Sequence, residues 1–303
     1  MKITGTFIDE ISHDIPSANW GPEEWKKEFD VMKSIGIDTV ILIRVGYKYK
    51  MTFNSKVLSE HGPMRPACHD LLKLFLYESE RCGMKFFLGL YDSGKYWHQQ
   101  KYHKEAELNL RLIEEILNKY GHYSSFKGWY LSHEMTTLDP GFLKEYHALI
   151  QKLKDLKDIP MLISPYVKGR MQFENPITPE EHEKQWDEIF AALSGKIDYV
   201  AFQDGQVDLM ELKEFSGINK SLADKYGLIS WANIETFERG MPINFLPISW
   251  ENLHYKMSVA RDIGVEKLIT FEQPHFLSPN SMYHSAHNLY NRYLEWVYYN
   301  AEG

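Results

Sequence analysis

The sequence predicts an α/β fold, a single (β/α)8 TIM barrel over residues 1–303. Three observations predict it. Eight short β-type runs alternate with amphipathic helices, and the runs begin 30 to 45 residues apart, the repeat expected of βα units. The length, 303 residues, matches the size at which eight such units close. No linker-like or low-complexity stretch divides the chain.

The elements follow in order. The runs occupy residues 3–10, 39–46, 84–92, 126–134, 160–167, 197–205, 227–235 and 267–272. Pro22 opens the first helix, with Trp25, Phe29 and Met32 at i, i+4 and i+7 and Gly36 as its stop. Asp139-Pro140 starts another helix, and Thr178-Pro179-Glu180-Glu181 reads as a capping box with proline at the first helical position. Gly264 ends the helix before the last strand. Trp25, Trp186, Trp250 and Trp296 sit at helical spacings and read as core. Long loops follow strands two, three, five and seven (residues 47–66, 93–104, 168–178 and 236–249), while the returns from helix to strand are short. In this fold the loops after the strands crown the mouth where active sites are built.

Composition excludes several function classes. Hydrophobic residues are 44% of the chain and charged residues 25%, which is average for a globular protein. Lys plus Arg total 34 against 42 Asp plus Glu, a formal charge of −8. Without a basic block, neither nucleic acid nor an anionic membrane surface is expected as a partner. Cys68 and Cys82 are read into one helix, about 21 Å apart, too far to pair. No leader-like start and no apolar run near 18 residues is visible, so the chain as written is expected to be cytoplasmic, or secreted or periplasmic if a leader was trimmed. The aromatic share, 14%, is the one departure from average.

Side chains alternate along a strand, so each strand offers two faces. Sorting the bulky apolar face toward the helices sends Phe86, Leu88, Val200, Phe202, Trp129 and Leu131 outward, together with Ile41 and Ile43 on strand two and Ile269 and Phe271 on strand eight. Thr270 and Glu272 then point inward. The last inward layer is expected to hold Asp9, Arg44, Tyr91, Glu134, Tyr166, Gln203, Glu235 and Glu272. Four carboxylates and one arginine in one mouth are expensive to desolvate without a use.

Two carboxylates across a cleft are what glycoside hydrolysis needs: one protonates the leaving oxygen, the other attacks the anomeric carbon or activates water. Glu134 and Glu235, at the ends of strands four and seven, form the expected pair. Glu272 should raise the proton affinity of a neighbouring carboxyl and Arg44 should lower it. The loop aromatics Tyr47, Tyr49, Phe53, Tyr96 and Trp97 could stack on sugar faces. No metal or cofactor is called for.

The run Gly128-Trp129-Tyr130-Leu131-Ser132-His133-Glu134 resembles the strand-four ending of clan A retaining glycosidases, where the acid/base glutamate closes the strand. Trp231-Ala232-Asn233-Ile234-Glu235-Thr236-Phe237-Glu238 resembles the strand-seven ending that carries their nucleophile. One departure stands out: His133 occupies the place of the asparagine that contacts the sugar 2-hydroxyl. Through Gly5-Thr6-Phe7, Ser164-Pro165-Tyr166 and Gln203-Asp204-Gly205, nearly the whole chain resembles a glycosidase-like barrel family of unassigned function. The resemblance implies a carbohydrate substrate and a retaining reaction, with Glu134 as acid/base and Glu235 as nucleophile. Asp9, Arg44, Tyr91, Asp92, Trp97, His133, Tyr166, Gln203, Asp204, Asn233 and Glu272 are the expected sugar contacts.

Two other readings compete. A metal-dependent sugar isomerase or epimerase could draw on Asp204, Glu235, Glu272 and His275, although no HxH or HExxH pair is present. A glycan-binding barrel without chemistry would keep the cleft alone. His13, His61, His69, His98 and His103 read as isolated solvated or capping residues. No Ser-His-Asp order, phosphate loop or nucleotide fingerprint occurs.

Overall fold

Eight parallel strands close into a barrel, each followed in the chain by a helix that packs on its outside. The computed structural model describes residues 1–12, 15–239 and 245–301, so His13 lies outside the described residues. The strands are β1 (Ile3–Ile8), β2 (Thr39–Leu42), β3 (Lys85–Gly89), β4 (Phe126–Tyr130), β5 (Met161–Ile163), β6 (Tyr199–Gln203), β7 (Ile229–Glu235) and β8 (Lys267–Phe271). The helices are α1 (Pro22–Ser34), α2 (Leu71–Cys82), α3 (Tyr102–Tyr120), α4 (Pro140–Leu156), α5 (Pro179–Leu193), α6 (Leu212–Lys225), α7 (Trp250–Asp262) and α8 (His284–Ala301). The ring closes where β1 pairs with both neighbours, Thr6 standing beside Val40 of β2 and Thr270 of β8. Among the described residues, no helix is long and apolar enough to cross a membrane.

Local chemistry sets the helix ends. Asp139 caps α4 by accepting from the Phe142 N–H at 2.9 Å, and Thr178 caps α5 by accepting from Glu181 N–H at 3.3 Å. Gly36 follows α1 at φ +90°, a conformation that excludes most side chains. One expectation needs correction: Cys68 is exposed and precedes the Asp70 cap of α2, so only Cys82 is helical.

Two apolar layers hold the barrel. The outer one, between strands and helices, contains Trp25, Phe29, Met32, Leu42, Leu88, Trp129, Trp186 and Leu268. The inner one fills the barrel with Phe7, Ile41, Ile43, Phe87, Tyr130, Leu162, Ala201, Trp231 and Ile269, with Phe271 against them. Large and small residues interlock there: the Phe87 ring occupies the space that a Cβ on Gly128 would take. This corrects the facing of two strands. On β2, Ile41 and Ile43 point inward while Val40 and Leu42 meet the helices; on β8, Ile269 and Phe271 point inward and Leu268 outward. The sorting rule failed because the barrel interior is as apolar as the outer shell. Thr270 tolerates full burial by donating its hydroxyl to the Ile234 carbonyl at 2.5 Å.

Two small sheets rise from the mouth. Arg65–Pro66, Lys50–Met51, Gly46–Tyr47 and Tyr91–Asp92 form one, and Phe237–Arg239 pairs antiparallel with Phe245–Pro247 in the other. On the barrel flank, Glu28 of α1 is fully buried and accepts from Ser278 Oγ and Asn280 Nδ2, both at 2.8 Å. Burial dominates its titration and pushes its pKa from 4.5 up to about 7.

The sign of the consequence follows from linkage. Between about 4.5 and about 7 the unfolded chain has lost this proton while the folded chain keeps it, so the contribution present below 4.5 is lost as pH rises through 7. The difference amounts to roughly 3 kcal/mol. Glu28→Gln should therefore be more stable than wild type at pH 8 and nearly equal at pH 4.5, as read by urea denaturation across that range.

Candidate functional site

The strand ends open on a cleft of about 160 Å³. Asp9 reaches it from the end of β1, Arg44 from beyond β2, Glu134 from beyond β4 and Tyr166 from beyond β5. Gln203 closes β6, and Asn233 and Glu235 come from the same face of β7. Seven of the residues expected at the site are thus brought together from six different strand ends.

Each is held by neighbours. Asp9 Oδ1 accepts from the N–H groups of Ile11 and Ser12 at 2.9 and 3.0 Å, a turn that leaves its other oxygen without a hydrogen-bond partner among the described residues. Arg44 donates from Nη1 to Ser12 Oγ at 3.2 Å, and its Nη2 lies 4.0 Å from Glu134 Oε1. Burial by itself would lower the guanidinium pKa, but the surrounding Glu134, Asp92, Asp9 and Tyr130 hold it above its ordinary value. Asn233 Nδ2 donates to Ser164 Oγ at 3.1 Å, and Gln203 Nε2 donates to the Ser164 carbonyl at 2.7 Å.

Glu235 is gripped by its backbone. Its N–H donates to Asp204 Oδ1 at 3.0 Å, and its carbonyl accepts from Lys256 Nζ at 3.2 Å. Lys256 and Asp204 are themselves paired at 2.8 Å, both buried. The carboxylate lies against Gly205, where any Cβ would overlap it. A buried lysine–aspartate pair with additional hydrogen bonds fixes a peptide unit more rigidly than solvent-exposed contacts do.

Six expected contacts stand elsewhere. Beyond β3 the chain leaves the barrel and pairs with Gly46–Tyr47, so Tyr91 is buried in the outer core with its hydroxyl donating to the Lys48 carbonyl at 2.7 Å. Asp92, on the same segment, sits 3.6 Å from Arg44 Nε and caps Gly94. Ser132 and Glu134 take the inward positions after β4, which turns His133 toward α3, where Trp97 stacks on it at 4.9 Å. Asp204 is occupied behind the cleft by Lys256. Glu272 is not an inward residue of β8, which corrects its predicted facing. Its Oε2 accepts from Asp9 N–H at 3.1 Å, and its Oε1 meets His275 Nδ1.

The cleft also contains residues that the sequence did not flag. Phe7, Tyr130 and Phe271 reach it from the strands, Phe237 and Phe245 from the hairpin after β7, and Gln172 and Gln206 from loops. Correct facing of β8 would have exposed Phe271; the hairpin carries no local signal of where it folds. The predicted loop platforms have other neighbours. Phe53 is buried in the core, Tyr47 faces Arg44 and Lys48, and Trp97 packs edge-on against Phe142. The metal set imagined from Asp204, Glu235, Glu272 and His275 does not assemble. Among the described residues, the one group spaced for an ion is Asp92, Glu105 and His133.

Residues 3–283 match a family model described as "Domain of unknown function (DUF4434)". The chain belongs to the DUF4434 family. A protein of Bacteroides thetaiotaomicron VPI-5482, whose crystal structure is described as that of a "putative alpha-L-fucosidase", is 45% identical, with 97% of this chain and 92% of that one covered and a TM-score of 0.93. The endo-1,4-beta-D-mannanase of Thermotoga petrophila RKU-1 shares 10% identity over 89% of this chain and 87% of its own, with a TM-score of 0.58. The exo-beta-1,4-mannosidase Op5Man5 of Opitutaceae bacterium strain TAV5 shares 11% identity over 98% and 60%, with a TM-score of 0.57. These last two likenesses are of fold alone. No curated protein matches the chain. The family and the barrel agree with the resemblance read from the strand ends, a glycosidase-like barrel of unassigned function.

The clamp on Glu235 can be tested without a substrate. Lys256→Met strands the Asp204 charge and should cost about 3 to 5 kcal/mol, whereas the double variant with Asp204→Leu should recover much of that loss. Chemical denaturation of the four proteins in the cycle measures the coupling.

Proposed function

We propose that this family member is a retaining glycoside hydrolase with Glu134 as acid/base and Glu235 as nucleophile. One observation carries the reading: two glutamates from the ends of β4 and β7 line a single cleft, whose remaining wall is made of hydrogen-bonding groups and rings. A sugar ring offers both hydroxyls and an apolar face, and this wall matches both. Asp9, Gln203 and Asn233 are the proposed hydroxyl partners, Tyr166 a ring contact, and Arg44 a positioning charge for Glu134.

The reaction would run in two displacements. In the first, the Glu235 carboxylate attacks the anomeric carbon, the glycosidic bond breaks, and Glu134 gives its proton to the departing oxygen. In the second, Glu134 as carboxylate takes a proton from water while that water displaces Glu235 from the anomeric carbon. Two inversions leave the configuration unchanged. Glu235 suits the first role because it is buried and its peptide unit is clamped, so little reorganisation precedes attack. Glu134 suits the second because it is the more exposed of the two, with 23% of its side chain accessible, and water must reach it.

The sugar is bounded by the related Bacteroides thetaiotaomicron protein, whose description supports an α-linked deoxyhexose as a first candidate. A panel of aryl glycosides that includes α-L-fucosides tests the whole reading. Wild type should turn over at least one member, and the first-formed sugar should keep its anomeric configuration by proton NMR. Glu235→Gln should lose at least about a thousandfold in kcat with the fold retained. Glu134→Gln should be impaired on poor leaving groups and spared on activated ones, which need no protonation. Unimpaired turnover in Glu235→Gln would remove the nucleophile assignment, and inactivity of the wild type on every glycoside with retained sugar binding would favour a glycan-binding barrel.

Gly205→Ala supplies an independent check. The added methyl must displace the flexible end of Glu235, so kcat should fall while Tm stays close to wild type.

A further inference from the structure

Behind the cleft wall, three ligand-type side chains converge from three separate segments. Asp92 comes from the mouth sheet after β3, Glu105 from the first turn of α3, and His133 from the extension of β4. One ligand atom of each lies within 4.8 Å of the other two. His133 Nε2 is 3.5 Å from Glu105 Oε1 and has no hydrogen-bond partner among the described residues, although only 4% of the His133 side chain is exposed. Glu105 is equally buried, and among the described residues that histidine is the one basic side chain within 4 Å of its carboxylate.

We propose that Asp92, Glu105 and His133 bind a divalent first-row transition ion, with zinc and manganese as the matching candidates. One imidazole nitrogen and two carboxylate oxygens are the donor set such ions accept. Zinc bonds of about 2.1 Å in tetrahedral geometry space the donors about 3.4 Å apart, so modest side-chain rotations close the set.

The surroundings are those of an oriented ligand set. Ser93 donates to Glu105 through its N–H at 2.7 Å and its hydroxyl at 2.5 Å, leaving a free lone pair on each oxygen. Gly94 N–H holds Asp92 Oδ1 at 2.7 Å, and the Trp97 ring lies over His133, tilted by 25°. A cavity of about 20 Å³, large enough for one water or ion, adjoins Glu105 and His133. One buried carboxylate, Glu105, and one half-buried one, Asp92, whose nearest cation is Arg44 Nε at 3.6 Å, leave negative charge that a metal ion would compensate. The proposal is independent of the glycosidase reading, because none of the three residues lines the cleft.

The test is direct binding of the metal alone. Chelator-treated full-length protein is titrated with zinc chloride, and separately with manganese chloride, by calorimetry, with Tm followed in parallel. One ion per chain and a Tm that rises with metal concentration are expected for wild type. Glu105→Gln keeps the shape and the Ser93 contact and should lose at least tenfold in affinity, as should His133→Ala. His69→Ala, a change at an isolated histidine outside the cluster, should bind as wild type does. Absence of binding in wild type, or unchanged binding in a folded Glu105→Gln, overturns the proposal and leaves a histidine–glutamate pair. Binding of calcium or magnesium in place of both transition ions overturns the assignment of ion class.

Discussion

Closing eight parallel strands into a ring imposes the division on which everything else in this molecule rests. Backbone pairing leaves no edge, and alternate side chains are sorted into an outer shell and a narrow interior. The interior is packed solid with rings and branched side chains, so polar groups have one place to converge, the open end beyond Phe271, Tyr130 and Phe7. Asp9, Arg44, Glu134, Gln203 and Glu235 meet there because each stands one or a few residues past the packed layer on its own strand.

Around that convergence runs a second circle of support. Glu272 holds the Asp9 backbone, Asp204 and Lys256 hold Glu235, Ser164 holds Asn233 and Gln203, and Asp92 shares Arg44 with Glu134. Charged groups dominate this circle, and each removes freedom from one cleft residue. A rigid wall is what a site needs if its groups are to meet a reacting atom without first rearranging.

Much of this was legible in the primary structure. The eight βα units could be counted, α4 and α5 announced their starts through Asp139 and Thr178, and the alternation on β1, β4, β5, β6 and β7 placed Asp9, Glu134, Tyr166, Gln203 and Glu235 at one end. Apolarity could not say which face of β2 or β8 looked inward, because Ile41 and Ile269 suit either layer equally. Nor did alternation hold beyond β3: Tyr91 lies where the chain has left the barrel, and there the mouth sheet decides direction, whereas His133 points away from Glu134 as alternation requires and misses the cleft for that reason. Asp204 and Glu272 are expected from the sequence as sugar contacts, yet neither lines the cleft; the lysine and histidine that claim them come from segments 52 and 3 residues away, through contacts that only the folded chain reveals.

The seam of the ring has a consequence for how the chain is made. Thr6 pairs with Thr270, and the Ile3 N–H donates to the Tyr293 hydroxyl, contacts that span 264 and 290 residues. At roughly 5 to 20 residues per second, a ribosome needs on the order of ten seconds or more between the first strand and its last neighbour. During that interval β1 has β2 on one side and an unpaired edge on the other. The nascent chain must protect that edge until its closing partner, β8, emerges.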